Sequence, residues 1–434
     1  MTARDPERHR TTRWGACEDV DMDAAMVDRL SAGEGWALLQ SLPPYDEAGS
    51  LHLQDRLRDA GFAADLVAAA MTQSRLRARG TDKFGDFAAG MLFTADGLEQ
   101  ATRLAIAARH AHRYAAAGVR DVYDLGCGLG ADAMAFAGLD LTVHAVDADD
   151  ATARIAAVNL RHWPSARVTH GLAEDVRLPQ GEGARRLGLW LDPARRVSGV
   201  ADVNGRTKRL FSLEAISPTW SQVLAFADAV PATGAKLSPA FPHGAVPRGA
   251  EAQWTSWHGE VLECAVWWGP LVATRGRTAA VCTETSTSVV TEADAEDGGQ
   301  RAPLASVADI GEWLHEPDRA VIRAGLTGAL VAAVDGAELA SGVGYVTSGQ
   351  PRELPWARRY RVVEAMPLST KRLARWLRDH GHDRVTIKKR GVTLDADLLR
   401  RQLKMTGRGK GGSEATLVLT RVGGGQVALV VTPA

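Results

Sequence analysis

The sequence predicts an α/β protein: a doubly wound, largely parallel sheet, preceded by a helical region and followed by a small α+β module. Three observations carry this. Apolar residues over 22–116 recur at spacings of 3 and 4, without strand-like alternation, which is a helical pattern. From 121 onward short apolar runs alternate with helical stretches, the arrangement of a parallel sheet with crossover helices. Near 351 the chain turns strongly basic while strands and helices continue to alternate.

The size and composition fit that architecture. A chain of 434 residues suggests two or three domains. With 45% hydrophobic and 24% charged residues it can bury a large core, which excludes a disordered chain. The first residues, MTARDPERHR, are charged and lack the apolar segment of a signal peptide, and no apolar run is long enough to span a bilayer. Cys17, Cys127, Cys264 and Cys282 lie far apart, without a CxxC pair. A reducing, cytoplasmic setting is expected, with no cysteine-based zinc site. The scattered histidines show no metal-ligand spacing, so no metal is expected. The net charge of −1 conceals an asymmetry: residues 351–421 hold 18 Lys/Arg against 7 Asp/Glu, a net +11, and the rest of the chain carries −12. A basic module on an acidic body is a candidate polyanion reader.

The elements follow in order. Residues 1–116 form the N-terminal helical region, with Thr94 or Asp96 as a helix cap. The sheet domain, 117–291, begins with the strand DVYDL, a glycine loop and the helix ADAMAFAG. LTVHAVD, RVTHGLA and LGLWLD are further strands, ATARIAAVNLRHW and SPTWSQVLAFADAV are helices, and GAKLSPA is again a strand. EAQWTSWHGEVLECAVWW and RTAAVCTETSTSVV read as two long strands forming an antiparallel hairpin that closes the sheet. The acidic, glycine-containing stretch 291–303 reads as a linker or surface loop. A helical stretch is expected around 306–340. The basic module then reads strand, helix, strand, helix and two strands around VGGG.

VYDLGCGLGADA is the most informative stretch. Gly126, Gly128 and Gly130 lie in a strand-to-helix turn, where glycine lets the backbone approach a ligand and the helix start offers amide groups. Asp124 precedes them. Asp147 ends the next strand, where an acid accepts hydrogen bonds from an adenosine ribose. Asp175 closes the third strand, where an acid can meet an adenine amino group. A plain βαβ turn and a dinucleotide site are the rivals, since Gly126, Gly128 and Ala131 also fit GxGxxG/A. The set of acids, with an acid-proline pair after the fourth strand, favours a different nucleoside cofactor.

On these residues the chain resembles the class I S-adenosylmethionine-dependent methyltransferases. DLGCGLG, VDAD, AED and LDPAR fall where the motifs of that class fall. The resemblance covers roughly 81–291 and implies a Rossmann-like methyltransferase sheet with S-adenosyl-L-methionine as cofactor. It implies that Asp124, Gly126, Gly128 and Gly130 surround the methionine end, that Asp147 binds the ribose and that Asp175 binds the adenine. Within the class, TDKFG, FTADGLEQATR, LWLDPARR, LHEPDRAVIRAGL and VTIKKRGV are similar to a bacterial group carrying a C-terminal THUMP-like domain. The enzyme half is distantly similar to trimethylguanosine synthases. The resemblance implies a ferredoxin-like segment at 305–360 and a THUMP-like basic domain at 361–434.

Asp192 and Pro193 are the candidate catalytic pair. A carboxylate at a strand end can accept an N–H of an amine and aim its lone pair, while Pro193 shapes the turn. Nucleic-acid amino-methyltransferases carry a second proline and an aromatic here; this chain has Ala194 and Arg195 instead. Arg195 can stack on a base or bind phosphate. Arg206, with Lys208 and Arg209, is a candidate for the substrate backbone. Lys388, Lys389 and Arg390, with Lys371, Arg372, Arg375, Arg378, Arg408 and Lys410, are candidates for RNA phosphates. Lys83, Phe84, Phe93 and Thr94 either cover the methionine end or serve packing and capping. The expected activity is methylation of a base amine in RNA, with RNA as the partner of the basic module. A small-molecule methyltransferase, a non-catalytic S-adenosylmethionine- or RNA-binding protein and an NAD-dependent oxidoreductase are the alternatives.

Overall fold

Four parallel strands organise the first part of the chain. The computed structural model describes residues 22–179, 181–184, 186–195, 212–403 and 413–434, and the chain divides into two units, Met1–Thr233 and Gly234–Ala434. In the first, β1 (Asp121–Leu125), β2 (Thr142–Asp147), β3 (Ala166–His170) and β4 (Leu187–Leu191) lie in the order β4-β1-β2-β3. Each neighbouring pair is parallel. All five residues of β4 are buried, as expected for a parallel strand covered on both faces.

Among the described residues, six α-helices precede this sheet: α1 (Ala24–Ser31), α2 (Gly33–Ser41), α3 (Ser50–Asp59), α4 (Ala64–Phe84), α5 (Ala95–Gln100) and α6 (Leu104–Ala116). Asp23 caps α1 by accepting the Met26 N–H at 2.8 Å. Helix α4 buries Leu66, Val67, Ala70, Leu76 and Phe84, the stripe that its spacing of 3 and 4 foretells. Helices α7 (Ala131–Ala137) and α8 (Asp150–Leu160) follow β1 and β2. Two buried amides tie these layers to the segment before α5. Gln73 donates to the Phe93 carbonyl at 2.7 Å and accepts the Phe93 N–H at 2.9 Å. Asn159 of α8 pairs likewise with Leu92, at 2.8 and 3.1 Å. Beyond β4, the two-residue strands β5 (Ala194–Arg195) and β6 (Ile216–Ser217) pair antiparallel, and α9 (Trp220–Ala229) follows, closed by a Thr219–Gln222 capping box.

The second unit begins within β7 (Ala232–Leu237). It continues with β8 (Glu251–Trp257), β9 (Glu260–Trp267), β10 (Gly276–Cys282) and β11 (Thr287–Thr291), in the order β11-β10-β8-β9-β7. Here the sequence reading needs correction. EAQWTSWHGEVLECAVWW is not one strand but the hairpin β8–β9. It turns at His258 and Gly259, whose φ values of 49° and 84° suit a two-residue turn that follows the strand twist. RTAAVCTETSTSVV is likewise the hairpin β10–β11, and β8 pairs with β10 in parallel.

The stretch 291–303, expected to be a linker or loop, contains α10 (Glu292–Gly299), started by a Thr291–Asp294 capping box. Its glycines serve a close helix crossing with α12 (Thr327–Ala333). A Cβ at Gly298 would meet the Gly328 carbonyl at 1.9 Å, and one at Gly328 would meet Ala295 O at 2.7 Å. Backbone contact replaces the apolar stripe that would have announced the helix.

The stretch expected to be helical around 306–340 holds β12 (Trp313–Pro317), short α11 (Arg319–Arg323), α12 and β13 (Ala337–Glu338). With β14 (Val346–Ser348), β15 (Ala357–Pro367), β16 (His382–Lys389), β17 (Ser413–Val422) and β18 (Gly425–Pro433) these strands form one seven-stranded sheet, ordered β13-β14-β12-β15-β18-β17-β16. It runs through both 305–360 and 361–434. Helices α13 (Thr370–Asp379) and α14 (Ala396–Gln402) cover one face, where Met366, Leu373, Leu377, Leu399, Leu417 and Val430 share a core. The other face packs Leu314, Tyr345, Tyr360, Val418 and Leu429.

Candidate active site

The site forms where β1 and β4 end side by side. Gly126, Gly128 and Gly130 all take positive φ, 88°, 55° and 84°, a region that glycine enters without strain. At Gly126 the requirement is also steric: a Cβ there would lie 2.7 Å from the Asp192 carbonyl oxygen. The Asp192 N–H in turn donates to Leu125 O at 3.1 Å. The glycine loop and the acid-proline turn are therefore in direct backbone contact. At Gly128 an added Cβ would meet nothing within 4 Å.

Asp147 locks this loop from β2. Its Oδ2 accepts the Gly128 N–H at 2.8 Å and its Oδ1 the Asp149 N–H at 3.0 Å. Burial raises its pKa above the usual aspartate value, while those two N–H groups pull it down. Each carboxylate oxygen retains a second lone pair, so the group can also accept from ligand hydroxyls. The Cys127 thiol records how the acids converge. Burial pushes its pKa well up, and the charges of Asp124, Asp147 and Asp192 add to that shift. Asp124 is buried within β1, whereas Asp192 and Pro193 are half-buried.

Asp175 ends the turn Ala173–Asp175 after β3 and is exposed. Arg195 continues β5, which pairs with β6. Arg206, with Lys208 and Arg209, lies outside the described residues, as do Arg408 and Lys410.

The residues ahead of the loop serve as framework. Lys83 Nζ donates to the carbonyls of Leu98, Glu99 and Ala101 at 2.8, 2.6 and 2.9 Å, neutralising the C-terminal end of α5. Phe84 is buried, with its ring 5.6 Å from that of Phe93. Thr94 caps α5 by accepting the Gly97 N–H at 3.0 Å.

Two buried polar groups beneath the site escaped the sequence reading. Asn159 Nδ2 donates to Leu129 O, in the glycine loop, at 2.9 Å. Asp132, in the first turn of α7, accepts from Thr102 Oγ1 at 2.7 Å and lies 2.8 Å from His110 Nδ1. The His110 ring sits 4.5 Å from that of Trp190, two residues before Asp192. Polar residues on otherwise apolar helix faces were the available signal.

In the basic module, Lys388 and Arg390 bind the buried Glu316 at 2.6 and 2.9 Å, and Tyr360 donates to the same carboxylate at 2.9 Å. Although burial alone would raise its pKa, Lys388 and Arg390 hold Glu316 below the usual glutamate value. Lys389 Nζ donates to Leu394 O at 2.8 Å. Arg358, Arg359 and Lys388 line one cleft, with the Thr386 and Thr416 hydroxyls. Among the described residues no group of three or more His, Cys, Asp or Glu side chains is arranged to hold a metal, and no helix is long and apolar enough to cross a membrane.

Comparison with known proteins agrees with this geometry. Proteins from two strains of Mycobacterium tuberculosis, both described as uncharacterized S-adenosylmethionine-dependent methyltransferases, are 27% identical over 366 residues, covering 82% of this chain and 93% of theirs. The chain is a relative of the S-adenosylmethionine-dependent methyltransferases. The crystal structure of a provisionally assigned methyltransferase from Porphyromonas gingivalis shares the fold, with a TM-score of 0.66 at 20% identity, covering 90% of this chain and all of that one. Residues 357–433 match the family described as THUMP domain-like. Residues 23–80 match a family described as a domain of unknown function, DUF8688. The THUMP domain-like match falls within the basic module.

Proposed function

We propose that this protein transfers the methyl group of S-adenosylmethionine to a base amine of RNA, with the THUMP-like module holding the RNA. The observation that carries the reading is the backbone contact between Gly126 and Asp192. It joins a nucleoside-cofactor loop to an acid-proline turn at the carboxyl ends of β1 and β4, where ligands of open α/β sheets bind.

The residues suit the cofactor. The left-handed glycine loop leaves open space at Gly128, and Asp147 has acceptor capacity for ribose hydroxyls. Asp124 and the glycines are assigned to the methionine end, and exposed Asp175 to the adenine. When bound, the cofactor supplies an electrophilic methyl group. The chain's own task is orientation. The carboxylate of Asp192 accepts an N–H of the acceptor amine and draws its nitrogen toward pyramidal geometry, so that the lone pair is no longer delocalised into the base. Pro193, without an N–H, fixes the turn. Placement and preformed hydrogen bonds of this kind account for most of the rate in such a transfer. Arg195 is assigned to the substrate by stacking or phosphate binding, and Arg206 to the substrate backbone. The partner is inferred from the net +11 charge over 351–421 and the cleft lined by Arg358 and Arg359.

Two observations favour a second reading, a small-molecule acceptor. Glu316 already engages Lys388 and Arg390, and Arg195 stands where a base-stacking aromatic is usual. Labelled methyl transfer to RNA and to the small-molecule fraction of a strain lacking this protein separates the two. Label in a modified nucleoside is expected; label confined to small molecules would overturn the RNA assignment. Asp192→Ala should lower turnover by at least about 100-fold, with cofactor affinity retained. Unchanged turnover would remove Asp192 from the chemistry.

A further inference from the structure

Resting on the reading of RNA as substrate, we infer that the outer edge of the THUMP-like module, formed by α13 and β16, is a stacking platform for an unpaired RNA base. Three rings lie nearly parallel there. Trp376 stacks on His380 with centroids 3.9 Å apart and planes at 14°, and on His382 at 5.7 Å and 12°. Hydrogen bonds hold both histidine rings: His380 Nδ1 lies 2.8 Å from Trp376 O, and His382 Nδ1 lies 2.8 Å from Ser413 Oγ. Trp376 packs one side against the core, while His380 is exposed. The rings are therefore held in place at the surface instead of collapsing onto it.

Cations share the helix with Trp376. Lys371, Arg372, Arg375 and Arg378 are all exposed on α13, and β16 is the terminal strand of its sheet. Lys371, Arg375 and Arg378 enter no ion pair among the described residues, and Arg372 lies 3.7 Å from Glu364. This distinguishes them from Lys388 and Arg390, which are held on buried Glu316. Fixed aromatic planes beside exposed cations are the two parts of a single-strand site: the rings take bases and the cations track the phosphates. A duplex keeps its bases stacked on one another and offers such rings nothing but its end. The occupant is therefore single-stranded RNA.

The test measures binding of the full-length protein to a short single-stranded RNA oligonucleotide. His380→Ala, at an exposed position, should weaken binding about fivefold to tenfold, the effect of losing one stacked base. His380→Phe should restore it, because a plane is retained and the imidazole is not. The double variant Arg375→Gln/Arg378→Gln should flatten the salt dependence by about 1.4 in the logarithmic slope. Wild-type binding by His380→Ala, or a Phe variant as weak as the Ala variant, would overturn the platform. So would poly-aspartate competing as well as the oligonucleotide, which would mark a plain polyanion surface or an acidic protein partner. Methylation of cellular RNA is scored separately. If RNA is methylated yet His380→Ala binds normally, the platform fails and the activity stands; if His380→Ala loses binding and no RNA is labelled, the reverse holds.

Discussion

Charge is used in opposite ways by the glycine-loop site and the basic module. Around Cys127 three carboxylates converge, and their effect on the thiol adds to that of burial. Around Glu316 the charges cancel, with Lys388, Arg390 and Tyr360 gathered on one buried carboxylate. Clustered acids beside a tight loop suit the proposed cofactor site, whereas clustered opposite charges sunk in a sheet face hold the fold together. A net charge of +11 therefore overstates the cations available to a partner. Those on α13 are on the surface; those of the KKR run are partly consumed.

The largest effect that would test this contrast belongs to the loop. Gly126→Ala demands a Cβ 2.7 Å from a backbone oxygen at a φ of 88°. It should abolish measurable cofactor binding, read by calorimetry, and cost about 2–4 kcal/mol of stability. Retained cofactor affinity would mean that the loop is not the cofactor site. Next comes Glu316→Ala, which leaves Lys388 and Arg390 without their shared carboxylate. Loss of about 3–5 kcal/mol is expected from urea unfolding monitored on the second unit. If stability is unchanged and RNA affinity rises, the two cations are held in reserve for RNA.

The smallest expected effect concerns pH. Burial, aided by Arg359, pushes the pKa of His315 down to about 4 from an ordinary 6.5. The unfolded chain thus takes up this proton before the folded one. Stability from His315 is complete above pH 6.5 and is lost as pH falls toward 4, a contribution of at most about 3 kcal/mol. Hydrogen exchange of β12 and β14 should accelerate across that window after correction for intrinsic rates. His315→Gln should remove most of the dependence.

The glycine loop and the acid after each strand could be read directly, because they are local: left-handed turns, strand ends and caps are decided within a few residues. Lys83 shows where local reading stops. Its neighbours TDKFG left a cofactor contact and a capping role both open, and its ammonium caps α5 through three carbonyls contributed from 98–101. Asn159 and the Thr102–Asp132–His110 group show polar residues on apolar helix faces, but their partners, 22 or more residues away, could not be read locally.

Sequence alone determined the alternation of strands and helices, the loop that only glycine can form, and the acidic residues at the strand ends. These are consequences of backbone sterics and short-range periodicity. Tertiary structure alone decided that the acidic 291–303 stretch contains a helix, because Gly298 meets Gly328 across a helix crossing. It decided that EAQWTSWHGEVLECAVWW folds back on itself at His258 and Gly259. It also decided that Lys388 and Arg390 face inward to Glu316. In each case the controlling partner is distant in the chain, and no pattern of spacing within a segment carries its identity.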